Sequence, residues 1–125
     1  MSVQNKRFTV AFGCDHAGFL LQQKLIKDIK NLDFDVIDCG TDGQVSVDYP
    51  DFARKVVDEI LKKKAQKGIL ICGTGIGMAI TANRYQGIRA AHCYDRQQVI
   101  IARQHNNINV LCLGARVIND AEALA

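Results

Sequence analysis

Apolar, strand-like runs alternate with amphipathic stretches along the chain. Phe8 to Phe12 predicts a first strand. From Ala17 to Lys30, Leu21, Leu25 and Ile29 recur at helical spacing. Phe34 to Ile37 predicts a second strand, closed by Asp38-Cys39-Gly40, and Thr41 to Val47 reads as a polar, glycine-containing loop. Asp48-Tyr49-Pro50-Asp51 then opens a helix, because proline suits the first helical position and an acid suits the first turn. Phe52, Ala53, Val56, Val57, Ile60 and Leu61 give that helix an apolar face. Gly68 to Cys72 predicts the third strand, Ile76 to Tyr85 the third helix and Ile88 to Ala91 a short fourth strand. Asp95 can cap a helix ending near Gln104, and Ile108 to Leu113 predicts the fifth strand.

Strands alternating with helices across short connections predict an α/β fold. The expected form is a three-layer, Rossmann-like arrangement, with a five-stranded parallel sheet and helices on both faces. The 125 residues are the length of one domain, and neither a repeat nor a linker divides them. In open parallel sheets ligands bind outside the carboxyl ends of the strands. The residues just past those ends are Cys14-Asp15-His16, Asp38-Cys39-Gly40, Gly73 to Gly77, His92-Cys93 and Gly114 to Arg116. Acid, base, thiol, cation and glycine loop are therefore expected at one rim.

Composition narrows this picture. An apolar share of 48% is ample for one core, while a net charge of +3 is far from the dense basic stripe of a nucleic-acid binder. Lys62-Lys63-Lys64 reads as the solvated end of a helix, where cations complement the dipole. No apolar run approaches the roughly 20 residues of a membrane span. The start, MSVQNKRFTVAFG, lacks the apolar core of a signal peptide. The five scattered cysteines then read as reduced cytoplasmic thiols rather than a disulfide framework.

The densest chemistry lies in Gly68 to Met78, GILICGTGIGM. Cys72 ends a strand, and Gly73, Gly75 and Gly77 follow at alternate positions before a helix. Glycines let a ligand approach the backbone, and helix-start N–H groups point at it. The same field favours a thiolate. A dinucleotide fingerprint would need its third glycine at Met78, one position later, and the Gly-Lys-Ser/Thr of a P-loop is absent. A small phosphorylated ligand or a reactive oxyanion suits the loop better than a nucleotide; a turn needed only for tight packing is the plain alternative. Cys14, Cys39, Cys93 and Cys112 read as small buried hydrophobes, and the C-x-x-C spacing of common zinc sites is missing. No metal is expected.

The remaining candidates have equally plain alternatives. Asp15 can cap a helix, and His16 beside it can bind phosphate. His105-Asn106 sits in Arg103-Gln104-His105-Asn106-Asn107, which alone reads as a polar helix end. Arg116 can grip an anion or sit in a surface ion pair. His92 reads as structural.

Taken together, Phe12-Gly13-Cys14-Asp15-His16-Ala17-Gly18, Asp48-Tyr49-Pro50, Ile71-Cys72-Gly73-Thr74-Gly75-Ile76-Gly77 and Arg103-Gln104-His105-Asn106 resemble type B ribose-5-phosphate isomerases. That group belongs to a sugar-phosphate isomerase family with the galactose-6-phosphate isomerase subunits. The resemblance runs in order from Phe8 to Val117. It implies interconversion of D-ribose 5-phosphate and D-ribulose 5-phosphate in the non-oxidative pentose phosphate pathway, without metal or organic cofactor. It implies Cys72 as the base that moves a proton through an enediolate. Gly73, Thr74, Gly75, Ile76 and Gly77 match the loop that holds the oxyanion, with Thr74 assisting proton movement among the oxygens. His105 matches the group that opens the furanose ring, and Asn106 a ligand contact. Asp15 and Tyr49 match sugar-contacting positions; His16 and Arg116 match phosphate-binding positions. The resemblance also implies a homodimer or dimer of dimers in which both protomers build each site.

Two other readings accompany it. The galactose branch typically lacks the Gln-His-Asn signature, so its presence favours ribose, while six-carbon substrates such as allose 6-phosphate or galactose 6-phosphate stay open. A non-catalytic sugar-phosphate-binding module would need neither Cys72 nor His105. Family members also continue into a C-terminal helix and tail whose arginines reach the partner's phosphate site, whereas this sequence ends at Ala125.

Overall fold

In the computed structural model, residues 8–41 and 48–116 are described. Most of the loop expected over Thr41 to Val47, and everything after Arg116, lies outside them. The order is β1 (Thr9–Cys14), a 3-10 turn (His16–Gly18), α1 (Phe19–Asn31), β2 (Asp35–Asp38), α2 (Tyr49–Leu61), β3 (Lys67–Cys72), α3 (Ile76–Ala82), β4 (Ala90–His92), α4 (Arg96–Asn106) and β5 (Val110–Gly114). The five strands form one parallel sheet in the order β2-β1-β3-β5-β4. The α/β arrangement expected from the alternation is the one found.

Side-chain alternation divides the core into two layers. On one face, Ala53, Val56 and Val57 of α2 and Met78 and Ala82 of α3 pack on Ala11, Leu70, Cys72, Val110 and Cys112. On the other, Leu21, Leu25 and Ile26 of α1 cover Val10, Phe12, Cys14, Ile71 and Leu113. Ala102 and Val99 of α4 cover Leu111 on that second face. Phe12, Leu70, Ile71 and Met78 are fully buried. Side chains of that size stabilise the fold by about 1.5–3 kcal/mol each.

Element ends moved where hydrogen bonding overrode the hydrophobic pattern. The first strand runs to Cys14, because Gly13 and Cys14 pair with Leu70 and Ile71. The third helix stops at Ala82 rather than Tyr85. Asn83 turns its amide to the sheet edge: Nδ2 donates to Ala90 O at 2.9 Å, and Ala90 N donates to Oδ1 at 2.8 Å. The fourth strand begins at Ala90, since Ile88 closes a turn on Tyr85 and Arg89 N donates to the Asn109 side chain. The fourth helix continues to Asn106, where Asn107 takes the left-handed conformation at φ 50°. All three lysines of the 62–64 run are exposed at the end of α2, as expected.

The topology fixes where a ligand would lie. β1 connects outward to β2, whereas β3 connects the other way to β4. The carboxyl ends of the adjacent β1 and β3 therefore flank a topological switch point, where the connecting loops part and leave a crevice.

Candidate active site

The loop after β3 carries the chemistry. Cys72 is 5% exposed, and its Sγ accepts the Gly75 N–H at 3.1 Å. An N–H aimed at sulfur is the partner a thiolate needs. Gly75 reaches this position with φ +85°, a conformation that side-chain-bearing residues rarely adopt. As the residue before α3 it offers no side chain to the helix's first N–H groups. Thr74 Oγ1 accepts the Ile76 N–H at 3.2 Å, which fixes the exposed Thr74 side chain in the loop.

Neighbouring elements close on this loop. The Tyr49 ring, from the start of α2, lies so near Gly77 that a Cβ there would stand 2.6 Å from the ring. Only hydrogen fits, so Gly77 is required for tyrosine to reach the loop. Arg116, beyond β5, donates its N–H to Gly73 O at 2.9 Å and lays its guanidinium over Gly73. Asp15, beyond β1, donates its N–H to Ile71 O at 3.3 Å. Asp15 is 6% exposed, and its Oδ1 accepts the Ala17 and Gly18 N–H groups at 2.9 and 3.2 Å. The capping role open to Asp15 in the sequence is thus filled, and it presents His16 in the following turn.

The rim therefore gathers Cys72, Gly73, Thr74, Gly75, Ile76, Gly77, Asp15, His16, Tyr49 and Arg116. It does not gather His105 and Asn106. These sit exposed in the last turn of α4, which runs back from the rim. Asn106 O accepts Arg89 Nε at 2.7 Å, beside the start of β4. Val110 pairs with Gly68, while Gly114 pairs with Cys72. That advance along β5 covers about 13 Å at the usual strand rise. Within one chain, His105 and Cys72 belong to opposite ends of the sheet.

The other cysteines are chemically distinct. Burial pushes the Cys14 thiol up to about 12 and the Cys39 thiol up to about 11, with nearby carboxylates adding to both. Burial also raises Cys93 and Cys112. All five cysteines are free. Among the described residues no group of three or more His, Cys, Asp or Glu side chains is placed to hold a metal ion, and no helix is long and apolar enough to cross a membrane.

His92, expected at the rim and read as structural, meets the glycine loop directly. His92 packs its ring edge against Gly75, where a Cβ would stand 2.6 Å from its Cδ2. A histidine at a strand end carried no spacing signal that linked it to a loop 17 residues earlier.

The fold and site define a class: three-layer α/β proteins with a thiol and a glycine loop at the switch point of a parallel sheet. Within that class the chain belongs to the ribose/galactose isomerase family, whose model matches residues 10–125. Ribose-5-phosphate isomerase B of Escherichia coli is 42% identical over 109 residues, covering 87% of this chain and 73% of that one. The crystal structure of a ribose 5-phosphate isomerase from Thermotoga maritima superposes with a TM-score of 0.91 at 47% identity, covering 94% of this chain and 81% of that one. Ribose-5-phosphate isomerase B from Mycoplasma genitalium, solved with bound ribulose-5-phosphate, gives a TM-score of 0.89 at 39% identity, covering 94% and 78%.

Proposed function

We propose that the protein interconverts D-ribose 5-phosphate and D-ribulose 5-phosphate, with Cys72 as the base. The observation that carries this reading is the Cys72 sulfur, held at the switch point by the Gly75 N–H at 3.1 Å. It gains weight from a family in which one relative binds ribulose-5-phosphate. A proton beside a carbonyl is weakly acidic, so its removal needs a positioned base and donors aimed at the new oxyanion. Cys72 takes the proton from the second carbon of the open aldose and returns it to the first carbon. The 73–77 loop holds the enediolate between these steps through N–H groups other than those of Gly75 and Ile76, which Cys72 and Thr74 already engage, and Thr74 passes the hydroxyl proton between the enediolate's two oxygens. Asp15 and Tyr49 contact the sugar, while His16 and Arg116 hold the phosphate. These remote contacts fix the reacting carbons over the sulfur.

His105 opens the furanose ring, and Asn106 binds the sugar, in the site of a second copy. Their place at the far end of the sheet requires this if both are to meet Cys72. The working unit is therefore a homodimer or a dimer of dimers, with no metal or organic cofactor. Its free cysteines suit the reducing cytoplasm. In this reading residues 1–125 are a single domain.

A coupled assay for ribulose 5-phosphate tests the reading. Turnover on ribose 5-phosphate should exceed that on allose or galactose 6-phosphate, and Cys72→Ala should lower kcat by about a thousandfold, within the range typical of a positioned base. Higher turnover on a six-carbon sugar would move the protein to the other branch. Binding of ribose 5-phosphate without exchange of its proton into heavy water would leave only a binding module. A Cys72→Ala variant of near-normal kcat would remove Cys72 from the mechanism.

A further inference from the structure

His92 ends β4 on the face covered by α2 and α3, because it shares its register with Cys112. Its imidazole reaches past β5 to the loop after β3. A Cβ placed on Gly75 would stand 2.6 Å from His92 Cδ2, 2.9 Å from the Leu113 carbonyl carbon and 3.1 Å from Gly114 N. The imidazole edge and the end of β5 thus form the floor on which Gly75 rests. Tyr94 stands beside the imidazole, with ring centroids 6.0 Å apart and planes tilted by 50°. Gly75 in turn aims its N–H at Cys72 Sγ, at 3.1 Å.

A second observation concerns the same ring. His92 Nε2 is buried and has no hydrogen-bond partner among the described residues. A buried nitrogen without a partner destabilises a fold, and an apolar group of similar reach would not incur that cost. The contact His92 makes with the loop is through carbon, so the position of its edge matters there rather than its nitrogen.

We propose that His92 is a positioning residue for the isomerisation, whose ring wedges beneath Gly75 and keeps the Gly75 N–H directed at the Cys72 sulfur. The proposal rests on Cys72 being the base. Removing the wedge frees a glycine already in an unusual conformation, and the donor drifts from the sulfur. The substrate's phosphate contacts, at Arg116 and His16, are untouched.

The test uses the full chain and two variants. His92→Ala should lower kcat about tenfold to a hundredfold, the penalty of a small misplacement, while KM for ribose 5-phosphate changes less than about twofold. By NMR, the Gly75 amide should exchange faster with heavy water, while the amides of β3 keep their protection. His92→Leu refills the space without a nitrogen, so it should recover most of the kcat and melt at a higher temperature than the parent. Parental kcat in His92→Ala, or a His92→Leu variant that is folded yet as slow as His92→Ala, overturns the proposal. If His92→Ala does not fold, the kcat of His92→Leu decides alone. An inactive Cys72→Ala beside a fully active His92→Ala sinks only this inference, whereas an active Cys72→Ala sinks the reading beneath it.

Discussion

The two ends of the sheet hold their chemistry in opposite ways. At the carboxyl rim, Cys72 is nearly buried and carries a backbone donor on its sulfur. Tyr49, Arg116 and Asp15 converge on its loop from three other elements. At the amino end, His105 and Asn106 lie exposed on one helical turn. There the backbone is pinned, with Arg89 Nε on Asn106 O, while both side chains face outward. The rim has the geometry of a site that must not move. The amino end has the geometry of a surface offered to something else. Under the proposed mechanism, a chain with Cys72 at one end and His105 at the other completes the reaction by meeting another copy.

Mixing two damaged proteins gives the largest expected effect on this comparison. Cys72→Ala and His105→Asn should each be nearly inactive on cyclic ribose 5-phosphate. Refolded together in equal amounts, half of the dimers pair one of each, and each such dimer has one intact site. Activity should therefore rise to about a quarter of the parental value, as two-fold symmetry requires. A mixture no more active than its components would break the comparison.

Backbone conformation gives the next effect. Gly75 at the rim and Asn107 at the amino end both have positive φ, 85° and 50°. Gly75→Ala meets both strain and the His92 ring, so it should cost about 1–3 kcal/mol in denaturant unfolding, and most of the activity. Asn107→Gly relieves a mildly strained cap and should shift stability by less than about 1 kcal/mol. Equal costs would mean that the rim loop is no more constrained than an ordinary helix end.

The smallest effect separates Cys72 from its silent neighbours. Folding raises the Cys14 thiol from an ordinary 9.0 to about 12. Between those values the folded chain keeps a proton that the unfolded chain has released, so stability falls as pH rises from about 9. Cys14→Ala should flatten the decline of melting temperature over that interval. An unchanged slope would assign the decline to other groups.

Much of this was legible in the sequence, for a physical reason. Strands buried on both faces read as short apolar runs, and helices covering them read at 3.6-residue spacing, so element order followed directly. Because strand ends in a parallel sheet share a rim, the strand pattern alone groups Cys72, the glycine loop, Asp15-His16 and Arg116. Boundaries were less legible where side chains replace backbone partners, as at Asn83 and Asn109. The rim alone also could not reveal that His105 lies at the other end, since that follows from the direction of α4. The hardest residue was His92. Its contact with Gly75 depends on how far one side chain reaches across a strand, and neither spacing nor composition encodes that distance.

The amide of Asn83 has one more consequence. β4 is the last strand of the sheet, and a bare strand edge is a template on which a foreign strand can add. At Ala90 that template is already occupied, because the asparagine side chain supplies the donor and acceptor a sixth strand would bring. An intermolecular sheet cannot start there without evicting the amide. A single side chain thus closes this position of the β4 border to strand addition.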